Sequence, residues 1–121
     1  MVTNFELITP ELSDDEFRLI PYLVAGFRLH PKSDPIKSPL IVEAINSKKE
    51  AWGIKGKFTD VRLRKCVNYI RSKGMIPLIA TSDGYYTSWD KADIQKQIQS
   101  LHERASSILT CAEGLKLFLN E

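Results

Sequence analysis

The sequence predicts a mainly α-helical fold with one short β-hairpin and a long C-terminal helix. Three observations carry this. Apolar residues recur at helical spacing in four separate runs, Asp83-Gly84 lies between two β-prone stretches, and a heptad of apolar residues runs from Ile94 toward the C-terminus. With 121 residues, 43% apolar and 26% charged, the chain has the size and composition of one globular domain over residues 1–121. The core is expected over about residues 13–112, with a tail at 113–121. A domain of this length hides about two thirds of the surface its unfolded chain exposes, so neither metal nor disulfide is needed to hold it.

Ser13-Asp14-Asp15-Glu16 is a capping box, with two further acids suited to the positive end of the helix dipole, and starts the first helix. Phe17, Ile20, Leu23, Val24 and Phe27 follow at helical spacing. Pro21 removes a backbone donor and is expected to kink this helix or begin a second one; Pro31 ends it by His30. Ser38 is expected as the next N-cap, with Pro39 at the first helical position, and Leu40, Ile41, Ala44 and Ile45 supply the stripe of a second helix. Asn46-Ser47-Lys48-Lys49 ends it, and residues 53–57 form a basic loop with two glycines. Thr59 or Asp60 caps a third helix with Leu63, Cys66, Val67 and Ile70 on one face, closed by Gly74 in the left-handed conformation.

Residues 77–82 and 85–88 read as two strands, with Pro77 at a strand start, where proline is tolerated. Asp83-Gly84 suits a type I′ turn, in which both residues take a positive φ. Asp90 with Asp93 caps a fourth helix. In it Ile94, Ile98, Leu101, Ala105, Ile108, Ala112, Leu115 and Leu119 recur in steps of four and three, a heptad seam that Gly114 is expected to interrupt.

Helix, helix, basic loop, basic helix, hairpin, helix is the order of a winged helix-turn-helix, whose third helix presents its outer face to the major groove. The charge supports that assignment. Residues 48–73 hold nine cations against two anions, whereas the rest of the chain holds eight cations and thirteen anions. A positive patch on an acidic body attracts polyanions; the alternative is an ordinary solvated face of Lys and Arg. With Leu63, Cys66, Val67 and Ile70 buried, the opposite face carries Val61, Lys65, Asn68 and Ser72, with Arg62, Arg64 and Tyr69 toward its edges. Lys65 suits guanine or phosphate, Asn68 suits adenine, and Val61 suits a thymine methyl. Lys48, Lys49, Lys55 and Lys57 are expected to flank this face and to touch phosphates. The hairpin tip carries no cation, so any wing contact falls to a hydroxyl of Tyr86, Thr87 or Ser88.

The run holding Arg64, Val67, Ile70, Arg71, Gly74, Pro77, Leu78, Ala80, Thr81, Ser82, Gly84, Tyr85 and Tyr86, followed by Ser100, Leu101, Arg104, Ser107 and Ile108, resembles small winged-helix DNA-binding proteins of bacteriophages and mobile elements. The resemblance covers about residues 39–112. It implies DNA binding through the third helix, at Arg62, Arg64, Lys65 and Asn68, in a family whose members are mostly of unassigned role. A double-stranded DNA target and a regulatory or replication-accessory role are expected from the cationic segment falling on the loop and helix that this fold presents to the groove. The uncharged wing tip departs from the pattern.

Other chemistry finds little support. His30 and His102 lack companions at a metal-ligand spacing, the Gly53 run lacks the Walker pattern, and Ser/His/Asp or Cys/His sets are matters of chance with two histidines and two cysteines. No enzymatic role, metal or cofactor is expected. The acidic start, with Glu6, Glu11, Asp14, Asp15 and Glu16, is wrong for a signal peptide, and residues 19–27 fall far short of the roughly 20 apolar residues that span a bilayer. No membrane association is expected, and two cysteines outside any C-x-x-C motif suit a reduced cytoplasm. A second function class is a protein-interaction module using the seam of the fourth helix, with Leu101, Ile108 and Leu115 at a homodimer interface; the alternative is packing of that seam against the first helix.

Overall fold

A computed structural model describes residues 11–120; Glu6 and Glu121 lie outside the described residues. The elements are α1 (Asp14–Arg28), α2 (Ser38–Lys48), α3 (Asp60–Ser72), β1 (Leu78–Thr81), β2 (Gly84–Thr87), α4 (Lys91–Lys116) and a 3-10 turn (Leu117–Asn120). The layout is that of a winged helix-turn-helix: three helices, a two-stranded antiparallel wing and a long C-terminal helix. The chain divides into two compact units, Met1–Ser88 and Trp89–Glu121.

In the first unit the caps follow the local sequence. Ser13 Oγ accepts from the Glu16 N–H at 3.3 Å while Glu16 Oε1 accepts from the Ser13 N–H at 2.9 Å, which completes the capping box. Pro21 neither ends α1 nor starts a second helix. It lies on the exposed side, where water can serve the carbonyl left without a donor. The cap of α2 departs from expectation: Lys37 is the N-cap, with no side-chain hydrogen bond, and Ser38 and Pro39 both belong to the first turn. Thr59 caps α3 by accepting from the Arg62 N–H at 3.3 Å.

The hairpin has the expected place and a different turn. Thr81 pairs with Gly84, so the loop is Ser82-Asp83, and no residue other than glycine takes a positive φ among those described. That excludes type I′. Thr81 Oγ1 accepts from the Asp83 N–H at 3.2 Å and donates to the Gly84 carbonyl at 3.3 Å, so a side chain stabilises the reversal. Gly84 itself is required twice over: its φ is +125°, and a Cβ there would lie 2.5 Å from the Ile36 carbonyl oxygen. The backbone closes in at this point because Ile36 exchanges two 2.8 Å hydrogen bonds with Tyr85, a one-residue third strand beside the wing.

The core forms where α1, α2 and α3 meet the base of the wing. Leu19, Leu23 and Phe27 of α1, Ile41 and Ile45 of α2, and Leu63, Cys66, Val67 and Ile70 of α3 join Ile54, Phe58, Ile76 and Leu78 in one buried cluster. Asn46 locks the loop before α3, donating to the Phe58 carbonyl and accepting from the Phe58 N–H, each at 2.9 Å. Such paired bonds suit an amide, which carries both a donor and an acceptor.

The second unit is α4 and the turn after it. Asp90 caps α4 by accepting from the Ala92 N–H at 2.8 Å. The helix runs through Gly114 without the expected interruption, since one exposed glycine costs only about 1 kcal/mol in a helix. Among the described residues, α4 buries none of its side chains.

Candidate nucleic-acid interface

The outer face of α3 differs from the one the helical wheel predicts, and one carboxylate explains the difference. Glu16, on α1, is 2% exposed and faces α3. Its Oε2 accepts from Arg62 Nε at 2.7 Å and its Oε1 lies 2.8 Å from Lys65 Nζ. Both cations are therefore drawn off the outer face, with side chains only 19% and 18% exposed. Burial alone would raise the Glu16 carboxyl pKa, but hydrogen bonds from Lys65, Arg62 and the Ser13 backbone outweigh it and bring the group down to about 2. Cys66, buried beside this charge, has its thiol pushed up to about 12 by burial and by the Glu16 carboxylate.

Arg62 is in consequence a strut. Its Nη1 donates to the carbonyls of Lys55 at 3.1 Å and Lys57 at 3.3 Å, and its guanidinium lies over the Phe58 ring. From the other side, Asp15 Oδ2 accepts from the Lys55 N–H at 2.7 Å, and Arg18 bridges Asp15 Oδ1 to the Gly53 carbonyl, 2.7 Å to each. The Lys55 hydrogen bond is the main reason that the Asp15 carboxyl sits below its ordinary range; Arg18 lowers it further, against a smaller upward push from burial. The loop at residues 53–57, with Gly53 and Gly56 at φ +66° and +72°, is thus held by its backbone at several points while the Lys55 and Lys57 side chains face solvent.

What α3 presents outward is the stripe Val61, Arg64, Asn68 and Ser72, all exposed. Arg64 takes the place expected for Lys65. Its side chain is 62% exposed and pairs with Asp60 one turn back at 3.3 Å, an exposed pair of small energetic weight. Lys48, at the end of α2, is exposed with its ammonium 5.6 Å from the centre of the Trp52 ring, which in turn stacks on Tyr22. The two aromatic rings and Lys48 rim a largely apolar cavity of about 180 Å³ between α1 and α2. Lys49 is half-buried.

The wing contributes less than expected. Tyr86 is 7% exposed, and Thr87 and Ser88 are each 8% exposed. Thr87 donates its hydroxyl to the Phe27 carbonyl at 2.9 Å, so it fastens the wing to α1. Tyr85 is partly buried against the core with its ring against Phe27.

The structure thus brings Arg64, Asn68, Lys55 and Lys57 to the surface and takes Arg62, Lys65 and Tyr86 away from it. The residues that sequence reasoning missed are Glu16, Asp15 and Arg18. All three were visible as the first turns of a capped helix, and nothing in that local pattern indicates a second task 35 to 46 residues away in the chain. Among the described residues no helix is long and apolar enough to cross a membrane. Comparison with family models, curated proteins and solved structures finds no match to this chain.

Proposed function

We propose that this chain is a non-enzymatic double-stranded DNA-binding protein of the winged-helix type. It would act in the cytoplasm as a transcriptional regulator or replication accessory of a phage or mobile element. The observation that carries the reading is the exposed stripe Val61, Arg64, Asn68 and Ser72 beside the held basic loop. A helix with one arginine and one amide on its outer face suits base edges in the major groove, and lysines on a rigid loop suit the flanking phosphates. Arg62 and Lys65 enter as positioning residues. Both side chains are turned toward Glu16, and Arg62 also holds the loop through the Lys55 and Lys57 carbonyls.

This smaller set of outward cations makes the reading quantitative. With Lys48, Lys55 and Lys57 on phosphates, the slope of log K against log salt is expected at about −2.7, at roughly 0.9 per phosphate. Fluorescence anisotropy on a mixed-sequence duplex at several salt concentrations measures it. Arg64→Ala is expected to weaken binding about tenfold, as loss of one good groove contact does, while Lys65→Ala changes affinity less than twofold. Absence of binding at low salt would falsify the reading.

A second reading concerns the other unit: self-association through α4. The favouring observation is that the apolar seam of α4 has no fully buried residue, with Ile98 40%, Leu101 37% and Leu115 69% exposed and Ile94, Ala105 and Ile108 half-buried. The two readings are compatible. A two-fold dimer on DNA calls for a palindromic site with half-sites about one helical turn, or a multiple of it, apart.

A further inference from the structure

The seam of α4 alternates between two sets of positions, and the two differ in bulk. One set is Ile94, Leu101, Ile108 and Leu115; the other is Ile98, Ala105, Ala112 and Leu119. In a parallel, in-register pair every residue meets its own copy. Ala105 would then face Ala105, and Ala112 would face Ala112, leaving two thin layers flanked by large ones. Close-packed interiors do not tolerate such gaps cheaply.

In an antiparallel pair the two sets face each other. Setting Ala105 opposite Ile108 of the partner subunit aligns every seam position at once. Leu101 then meets Ala112 of the partner subunit, Ile98 meets Leu115 of the partner subunit, and Ile94 meets Leu119 of the partner subunit in the turn beyond α4. Each alanine lies against a large residue, and no seam residue is left over.

The flanking positions agree with this pairing. Arg104 falls beside Cys111 of the partner subunit, and Lys116 beside Gln95 of the partner subunit, so no like charges meet. The acids Asp93, Glu103 and Glu113 stay on the outer side of the helix. Leu109, 64% exposed, widens the apolar strip. A 26-residue helix is about 39 Å long, which accommodates the seam from Ile94 to Leu115 along one face.

We propose that two copies of this chain pair through α4 as an antiparallel coiled coil, with Ala105 opposite Ile108 of the partner subunit. This rests on the self-association reading, and the test separates the two. Sedimentation or light scattering of the full chain gives the mass, and a monomer at all concentrations overturns both. Orientation is read by disulfide formation, with oxidised glutathione accepting the two electrons and released as reduced glutathione. Leu101→Cys combined with Ala112→Cys, in a Cys111→Ser background, is expected to form a covalent dimer in which position 101 is linked to position 112 of the partner subunit, mapped by mass spectrometry, because these two seam positions face each other at a distance a disulfide can span. The counter-probe is Ala112→Cys alone in the Cys111→Ser background, which bridges only a parallel, in-register pair. At least ten times more covalent dimer is expected from the first variant than from the second. Equal yields with position 112 linked to itself, or a dimer in which neither bridges, overturn the antiparallel register while leaving self-association standing. Cys66, 0% exposed, does not compete for oxidant.

Discussion

Helices α3 and α4 carry the same kind of local signal and meet different ends. In α3, Leu63, Cys66, Val67 and Ile70 are exposed by 0%, 0%, 2% and 0%; in α4, Leu101 and Leu115 remain 37% and 69% exposed. Hydrophobic periodicity specifies that a helix forms and which stripe avoids water. It does not specify what covers that stripe. α3 is covered by α1, α2 and the base of the wing, and its stability is bound up with theirs. α4 brings its seam to a length and regularity that suit a second helix.

The largest expected effect lies in the core that α3 shares. Leu63→Ala should cost about 2–5 kcal/mol, since it removes a buried side chain and leaves a cavity. Leu115→Ala should leave the unfolding of the Met1–Ser88 unit within about 0.5 kcal/mol of wild type. Urea titration followed by Trp52 fluorescence, in a Trp89→Phe background, distinguishes the two. Equal losses would dissolve the contrast between the helices.

Next in size is the carboxylate that sets the outer face of α3. Glu16→Gln leaves Arg62 and Lys65 without their counter-charge and is expected to destabilise by roughly 3 kcal/mol, the range for breaking a buried pair. The acid limb supplies a check. The Glu16 pKa is lowered from 4.5 to about 2 on folding, so its contribution is fully present above about pH 4.5 and is lost as pH falls toward 2. Stability measured across that window should decline more steeply for wild type than for Glu16→Gln. Parallel curves would show that the ion pairs add nothing.

The smallest effect belongs to α4. Gly114 has helical geometry, and a Cβ added there would meet nothing within 4 Å, so Gly114→Ala should raise the helicity of α4 and add about 0.5–1 kcal/mol to its local stability. Circular dichroism and amide exchange over α4 report it, and unchanged protection would mean that the helix end is already held by other contacts.

Element placement was legible in the residues because its causes are short-ranged. The Ser13 capping box, the Thr59 and Asp90 caps, Gly74 after α3 and the 4-3 seam all act within about one turn of the chain. The misreadings are of the same local kind but closer in energy. Which of Lys37 and Ser38 caps α2 is a difference of about 0.5–2 kcal/mol between neighbouring residues. The wing turns at Ser82-Asp83 with Gly84 set against the Ile36 carbonyl, a contact between residues far apart in the chain that local sequence does not show.

The candidate site was only half legible. Asn68 was placed on the outer face by helical geometry alone, and there it is; Arg64, expected toward the edge, stands in the outward stripe in place of Lys65. Arg62 and Lys65 sit at positions where a long, flexible stem can carry its charge either outward to water or inward past the helix edge. Periodicity assigns a direction to the Cα–Cβ bond, not to an ammonium four bonds further on.

From the residues alone follow four helices, a hairpin, a cationic middle and an apolar seam, since each results from interactions between neighbours along the chain. The tertiary fold decided which cations remain available to a ligand. A carboxylate buried on α1 could not be left unpaired, and folding brought it within reach of Arg62 and Lys65.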